Sequence, residues 1–123
     1  MPGVRAGVIA LVLVFPGVAL AAGAAPHFAK GTPYNSVRSQ LMSMGFRPVP
    51  QKPPEGNFFC GAFDGEADLC KTYPEVIDCG GTGIRPCQFA FQRTADRKQL
   101  IVSTYGEQTS RLRILQTEWK TAP

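Results

Sequence analysis

Apolar residues recur every three or four positions in the stretch GTPYNSVRSQLMSMGF, residues 31–46. This spacing is typical of one face of an amphipathic helix. Thr32 is a candidate N-cap, and Pro33 stands at the first helical position. We therefore predict a helix over residues 33–44, with Phe46 closing onto Leu41 if Gly45 adopts a left-handed backbone. The helix side chains expected in the core are Tyr34, Val37, Leu41, Met42 and Met44.

A period of two replaces the helical spacing in the C-terminal part of the chain. Three runs alternate between apolar and polar residues and are joined by short polar loops, the second of which opens with Gly106. Short connections favour an antiparallel meander. The predicted strands are residues 88–92, 99–105 and 110–117. The predicted fold class is therefore α+β, with one N-terminal amphipathic helix packed on a three-stranded antiparallel meander and stapled by disulfides.

The region between the helix and the strands has no clear periodicity. Four prolines make an extended connector of residues 47–54. Residues 55–78 form an acidic stretch that contains six carboxylates against one basic residue, Lys71. We expect this stretch to be irregular and to be held in place by its cysteines.

The beginning of the chain has the composition of a secretory signal peptide. Arg5 gives a positive start, an apolar run covers residues 6–20, and small residues follow at two candidate cleavage sites, Ala21 and Ala24. A membrane anchor is the alternative, but it needs about 20 unbroken apolar residues, and a Pro-Gly pair interrupts this run. We predict cleavage after residue 21 or 24, a single mature domain over residues 25–123, a periplasmic or secreted location and no stable membrane insertion.

Charge and histidine content narrow the function classes of the mature chain. Loss of Arg5, the one charged residue of the leader, lowers the formal net charge from +4 to +3. This mildly basic balance does not indicate a nucleic-acid-binding protein. His27 is the only histidine and lies beside the predicted cleavage site, where we expect a disordered terminus. The folded core therefore has no imidazole for a Ser-His or Cys-His nucleophile pair.

The four cysteines are spaced like disulfide partners. Nine, eight and seven residues separate them, whereas structural zinc sites place ligands in close pairs such as C-x2-C. Disulfides are a usual supplement in an exported domain of this size. Four cysteines allow three pairings. Local pairing, Cys60 with Cys70 and Cys79 with Cys87, is favoured because the glycines within residues 80–83 can turn the chain sharply.

Two further stretches resemble known ligand-binding loops but lack residues or spacing that those loops require. CGGTGIRPC, residues 79–87, lacks the spacing of a phosphate-binding loop and runs into a strand-like stretch, so we interpret it as a stapled turn. DGEADLCKTYPE, residues 64–75, has acidic residues at the ligand spacing of a calcium loop: Asp64, Glu66, Asp68 and Glu75. Leu69 stands where that loop needs glycine. We predict no metal and no cofactor.

The order of these stretches resembles a group of small exported bacterial proteins of unknown function. GTPYNSVRSQLMSMGFRPV is followed by YPE, then by CGGTGIRPCQFAF, then by STYGE, over about residues 31–107. The resemblance implies a shared fold and shared cysteines and no particular activity. A helix followed by a meander is also similar to small envelope modules that bind other proteins, although fold analogy alone does not give function.

Few catalytic groups remain once the thiols are assigned to disulfides. Two carboxylate pairs, Glu75 with Asp78 and Glu107 with Glu118, have the residue types of a glycosidase site, but so small a domain has little room for a cleft. We predict a non-enzymatic binding or interaction module. The alternatives are a small carboxylate-dependent envelope hydrolase and an inhibitor of an extracytoplasmic hydrolase. An inhibitor of basic lysozymes would be acidic, whereas this chain is basic.

Strand alternation divides the predicted sheet between two faces. The face toward the helix should hold Phe89, Phe91, Leu100, Val102, Leu112 and Ile114, and the opposite face Ala90, Ile101, Tyr105, Arg111, Arg113 and Leu115. Tyrosine, aliphatic residues and arginine together suit a protein interface. The predicted partner is an envelope protein with an anionic patch, bound by Ile101, Tyr105, Arg111 and Arg113. The alternative is that residues 55–79 fold over this face and pair their carboxylates with the arginines.

Overall fold

The structure, a computed structural model, describes residues 23–61, 67–81 and 83–121. Its two α-helices are α1 (Tyr34–Ser43) and α2 (Leu69–Thr72). Its strands are β1 (Phe46–Pro48), β2 (Val76–Cys79), β3 (Cys87–Arg93), β4 (Gln99–Tyr105) and β5 (Arg113–Trp119). The predicted leader lies outside the described residues up to position 22. Within the described ranges no helix has the length and apolar character needed to cross a bilayer.

One antiparallel sheet contains all five described strands. The predicted meander is confirmed as β3–β4–β5, with β4 paired along one edge of β3 from Cys87 to Gln92. The other edge of β3 is shared, because β1 pairs with its C-terminal end and β2 with its N-terminal end. The fold is therefore α+β, as predicted.

The predicted number of three strands is wrong, because β1 and β2 extend the sheet to five. β1 has three residues and ends at Pro48, and β2 has four residues within the acidic stretch. Strands this short carry too little alternation to be recognised locally. They exist because β3 presents an unpaired edge whose backbone donors and acceptors need partners.

The helix α1 covers one face of the sheet, which we call the inner face. Tyr34, Val37 and Leu41 are its buried side chains, and α1 contacts β1 and β5. All six strand residues predicted to face the helix are buried in one core: Phe89, Phe91, Leu100, Val102, Leu112 and Ile114. The side-chain periodicity of the three long strands therefore predicted the inner face correctly.

The end of α1 differs from the prediction in one respect. Gly45 has a φ of 92°, in the left-handed region, and Phe46 is buried, as expected. Met42 and Met44, in contrast, are 49% and 52% exposed and do not belong to the core. Met44 is the C-cap residue after the last turn of α1, and Met42 follows the buried Leu41 directly, so neither lies on the buried stripe.

The cysteine-rich region joins the inner layer and contains two disulfides. Cys60 is bonded to Cys70 and Cys79 to Cys87, which is the pairing favoured from the sequence. Cys79 and Cys87 are also opposite each other in the β2–β3 ladder. The glycine-rich stretch between them is thus the stapled turn of a β-hairpin. Nearby, Phe59 and Leu69 add their side chains to the core.

Residues 23–33 lie along β5, so α1 is not an N-terminal element as predicted. The Gly31 N–H donates to the Ile114 carbonyl (2.9 Å), the Ile114 N–H donates to the Thr32 carbonyl (2.8 Å), and Pro33 is bridged to Arg113. These bonds give the free edge of β5 a backbone partner. His27, expected in a disordered terminus, lies exposed within this segment.

The third predicted strand begins later than expected. Residues Thr109–Arg111 form a 3-10 helix, and β5 starts at Arg113. The hydroxyl of Thr109 donates to the carbonyl of Ala67 (3.0 Å), which ties this turn to the cysteine-rich region. This long-range contact favours a turn where alternation alone predicted a strand.

Candidate functional site

A row of polar side chains crosses the face of the sheet opposite α1, which we call the outer face. Asp78 on β2 is opposite Gln88 on β3, Gln88 is opposite Ser103 on β4, and Ser103 is opposite Gln116 on β5. Directly opposite residues of an antiparallel sheet project from the same face. We call these four residues the polar row.

Two β-bulges bring the polar row into line. The ladder between β2 and β3 shifts at Ile77, and the ladder between β4 and β5 shifts at Leu115. Each bulge sets two residues against one on the neighbouring strand and so reverses the alternation beyond it. Without the second bulge, the alternation that places Arg113 outside would turn Gln116 toward the core.

The polar row lies in a groove of about 590 Å³, which we call the outer groove. Lys30 and Leu115 line it from the side of β5, and Asp78 lines it from the side of β2. Ser103 is only 8% exposed, so the middle of the groove lies close to the sheet backbone. The outer groove therefore combines a cation, a carboxylate and neutral polar groups within one concave surface.

Most polar side chains of the outer groove have no partner in the part of the chain that the structure describes. Lys30, Gln88, Ser103 and Gln116 make no side-chain hydrogen bond or ion pair there. One carboxylate oxygen of Asp78 accepts a hydrogen bond from the Cys79 N–H (2.8 Å), which leaves its other oxygen free. These groups are available to solvent or to a ligand.

Three of the four predicted partner-binding residues lie on the outer face. Ile101 is opposite Glu118, and Tyr105 is opposite Arg113 at the other end of β4. Ile101 and Tyr105 are half-buried, and Arg113 is exposed and donates to the Gly31 carbonyl (2.9 Å). Arg111 is exposed in the 3-10 helix before β5. The structure therefore groups Tyr105, Arg111 and Arg113 at one end of the sheet, which we call the cationic end.

The acidic region does not pair with the cationic end in the part that the structure describes. Glu75 binds Arg38, and Asp68 caps α2 by accepting from the Lys71 N–H (3.1 Å). Phe59 and Leu69 of this region pack into the inner core. The other acidic residues at the calcium-loop spacing, Asp64 and Glu66, lie outside the described residues.

A buried charge network links α1 to the residue that precedes β2. The Glu75 carboxylate, with no exposed surface, accepts hydrogen bonds from the Tyr34 hydroxyl (2.7 Å) and from Nε and Nη2 of Arg38 (2.7 and 3.2 Å). Tyr34 and Arg38 are four residues apart, so they lie on one face of the helix. The Arg38 guanidinium also lies 5.5 Å from the centre of the Tyr73 ring. Two of the stretches that carried the resemblance, YNSVR and YPE, thus meet here.

The electrostatics of this network favour a neutral Tyr34. Burial, followed by the charge of Glu75, raises the pKa of Tyr34 well above its ordinary value of 10.0. The hydrogen bond with Glu75 is the main cause that raises the pKa of Arg38. A carboxylate without exposed surface is normally paired in this way, because an unpaired buried charge is costly. The network connects the helix to the sheet, and its carboxylate has no exposed surface.

The two carboxylate pairs considered from the sequence are not brought together. Glu75 is buried beside α1, whereas Asp78 is exposed on the outer face. Glu118 is opposite Ile101, and Glu107 follows the far end of β4. At about 3.3 Å per residue, six residues of extended chain separate these ends by roughly 20 Å.

The groups that resembled metal ligands are engaged in other interactions. Cys60, Asp68 and Cys70 lie close together, but the two sulfurs are bonded to each other and Asp68 caps α2. Glu75, the twelfth residue of the calcium spacing, is held by Tyr34 and Arg38. The described residues of that spacing therefore do not converge on one point.

Neither the buried network nor the polar row was identified from the sequence. Glu75 belongs to an acidic stretch, where side chains are ordinarily expected to be exposed to solvent. The spacing of Tyr34 indicated only that it lies on the apolar face of the helix. The polar row depends on two bulges that leave no local sequence pattern.

Comparison of the chain with protein-family models, curated proteins and solved structures finds no match.

Proposed function

We propose that this protein is a small non-enzymatic binding module of the periplasm or of the secreted fraction. Two disulfides fit an oxidising, extracytoplasmic compartment. The outer face of the sheet is its binding surface, and an envelope protein with an anionic patch is its partner. The resemblance to small exported proteins is consistent with this location but assigns no ligand.

The observation that supports this function is an outer face left open by the described residues. α1 and the cysteine-rich region both pack on the inner face, through Leu41, Phe59 and Leu69. The Cys79–Cys87 disulfide stabilises one side of the sheet. The pairing of residues 23–33 with β5 stabilises the other side. A rigid sheet face loses little conformational entropy on binding, which is favourable for recognition.

The cationic end supplies the charge complementarity for an anionic partner. Arg111 and Arg113 are exposed there beside the half-buried ring of Tyr105. Tyrosine and arginine are enriched at protein interfaces, and a basic patch accelerates encounter with an acidic one. The hydrolase alternative lacks comparable support, because the two carboxylate pairs considered from the sequence lie apart.

Affinity capture from an envelope extract tests this function. The double variant Arg111→Glu/Arg113→Glu should lose the partner that the wild type captures, and raising the salt concentration should release that partner from the wild type. Arg113→Lys, which keeps the charge, should retain it. Arg47→Glu/Lys120→Glu is the matched control, since both residues are exposed at the opposite end of the sheet, beside Gln92 and Gln99. Capture of the same partner by the Arg111→Glu/Arg113→Glu variant, with unchanged circular dichroism, would place the interface elsewhere.

A further inference from the structure

The end of the sheet remote from the cationic end gathers side chains from four elements. Phe46, the first residue of β1, is opposite Arg93, the last residue of β3. Trp119, the last residue of β5, stacks on Phe46 with the ring centres 6.0 Å apart. The C-terminal end of α1 reaches the same place, because the Thr94 N–H donates to the Gly45 carbonyl (2.9 Å). We call this region, residues 42–47, 93–99 and 118–120, the Trp119 end.

The Trp119 end carries the whole net charge of the predicted mature chain. It contains five cations and two carboxylates: Arg47, Arg93, Arg97, Lys98 and Lys120 with Asp96 and Glu118. Its formal charge is therefore +3, equal to that of the mature chain, and the remaining charges cancel. Arg47, Arg97 and Lys120 are exposed, and their side chains make no hydrogen bond or ion pair with any described residue. These three cations are available to an anionic partner.

Arg97 stands where the backbone does not favour an arginine. Its φ of 62° lies in the left-handed region, which favours glycine or asparagine, within the loop between β3 and β4. Asp96 fixes this loop by pairing with Arg93 and by accepting from the Lys98 N–H (3.1 Å). An exposed arginine in this conformation adds strain without a contact that stabilises the fold. Such strain indicates that the guanidinium serves an interaction outside the domain.

Apolar and aromatic side chains are exposed among these cations. Met42 and Met44 project from the end of α1, and Trp119 is half-buried. The Arg93 guanidinium and the Lys98 ammonium each lie 4.7 Å from the centre of the Trp119 ring. Tryptophan beside long cationic side chains is typical of the boundary between membrane and water. Thioether and indole groups surrounded by cations match a bilayer that is apolar inside and anionic at its headgroups.

The predicted leader joins the domain at this same end. The indole N–H of Trp119 donates to the Gly23 carbonyl (3.2 Å), and the predicted cleavage sites follow residues 21 and 24. The apolar run of the leader, residues 6–20, therefore stops three residues before a group that contacts Trp119. A precursor whose leader lies in a membrane thus has its Trp119 end toward that membrane. Cleavage leaves an α-ammonium nearby, which adds one more cation.

We propose that the Trp119 end docks on an anionic phospholipid surface. Met42, Met44 and the Trp119 ring enter the headgroup region, and the surrounding cations contact lipid phosphates. A protein partner fits this end less well, because the centres of protein interfaces are depleted of charge and of lysine in particular. β4 separates the two ends of the sheet by roughly 20 Å, so the cationic end stays open to the protein partner proposed above. The docking does not depend on that partner.

Trp119 is the only tryptophan of the chain, so its fluorescence reports docking directly. The mature, disulfide-bonded protein is titrated with vesicles of phosphatidylglycerol mixed with phosphatidylcholine, and with vesicles of phosphatidylcholine alone. The anionic vesicles should shift the emission to shorter wavelength, protect it from acrylamide quenching and sediment the protein. Raising the salt concentration should release the protein, because the attraction to the headgroups is screened. The neutral vesicles should bind much more weakly.

Two double variants separate the electrostatic and apolar contributions to docking. Arg47→Glu/Lys120→Glu should weaken binding to the anionic vesicles by at least about 25-fold, since each cation near such a surface contributes about fivefold. Met42→Gln/Met44→Gln should weaken it by about tenfold, since both thioethers leave water on docking. All four positions are exposed, so circular dichroism and the melting temperature should stay near those of the wild type.

Arg111→Glu/Arg113→Glu is the matched control, because it makes the same charge change at the cationic end and should bind the vesicles as the wild type does. Equal binding to neutral and anionic vesicles would overturn the proposal. So would unchanged binding by Arg47→Glu/Lys120→Glu, or sedimentation without a change in Trp119 fluorescence. A fluorescence change produced by heparin or inorganic phosphate but not by the vesicles would assign this end to a soluble anion instead.

The two proposals fail separately. If the wild type captures its protein partner but does not bind the anionic vesicles, only the membrane docking is wrong. If it binds the vesicles but captures no partner, only the function proposed above is wrong. Arg47→Glu/Lys120→Glu should lose the vesicles and keep the protein partner, whereas Arg111→Glu/Arg113→Glu should do the reverse.

Discussion

Replacing Arg38 with methionine should strongly destabilise the fold. The variant removes two hydrogen bonds and the charge partner of Glu75, which has no exposed surface and would retain only the hydroxyl of Tyr34. Breaking a buried ion pair costs about 3–5 kcal/mol. The Arg38 side chain is 27% exposed, so water can approach the site, and we expect a loss of about 3 kcal/mol. Since small domains are stable by about 5–15 kcal/mol, this is a large fraction of the total.

Urea denaturation with the disulfides intact measures this loss, and the melting temperature should fall by roughly 12 to 24 °C. Arg47→Met, at an exposed position of β1, is the matched control and should change little. Arg38→Met/Glu75→Gln should be more stable than Arg38→Met alone, because the second change removes the buried carboxylate that has lost its arginine partner. A loss below about 1 kcal/mol in Arg38→Met, the range of a surface pair, would refute this interpretation of the network. A double variant no more stable than the single one would also refute it.

Three further predictions concern pH, processing and metal. The pKa of Tyr34 is raised in the folded state. The stabilisation that this shift gives to the fold is complete below about pH 10. It is lost as the pH rises further, because only the unfolded chain releases the phenolic proton of Tyr34. Tyr34→Phe should therefore show a shallower loss of stability between about pH 9 and pH 11 in urea titrations than the wild type, and equal slopes would contradict the assignment. The intact mass of the exported protein should correspond to a chain that begins after residue 21 or 24 with no free thiol; a mass that retains the leader would contradict the predicted processing. Chelator should leave the melting temperature unchanged, and a drop reversed by calcium would show that Asp64, Glu66 and Asp68 form a site.

The elements that could be predicted from the sequence are those whose signal is local. Tyr34, Val37 and Leu41 repeat at the helical period, so the buried stripe of α1 follows from their spacing. β3 and β4 alternate over seven residues each, which suffices to assign their inner face. The disulfide pairing was favoured for a related reason, since glycines can turn the short loop between Cys79 and Cys87.

Long-range pairing decided the remaining features, because no local pattern specifies them. β1 and β2 form only where the backbone of β3 offers them partners, and residues 23–33 are held by the edge of β5. The bulges at Ile77 and Leu115 set the register that places Asp78 and Gln116 in one row, and a register shift of one residue turns a side chain to the other face. Glu75 is a buried partner of Arg38 because the tertiary fold places the residue before β2 against α1. The sequence by itself thus determined which segments are helical or extended and which faces are apolar, whereas the tertiary structure determined which polar side chains meet.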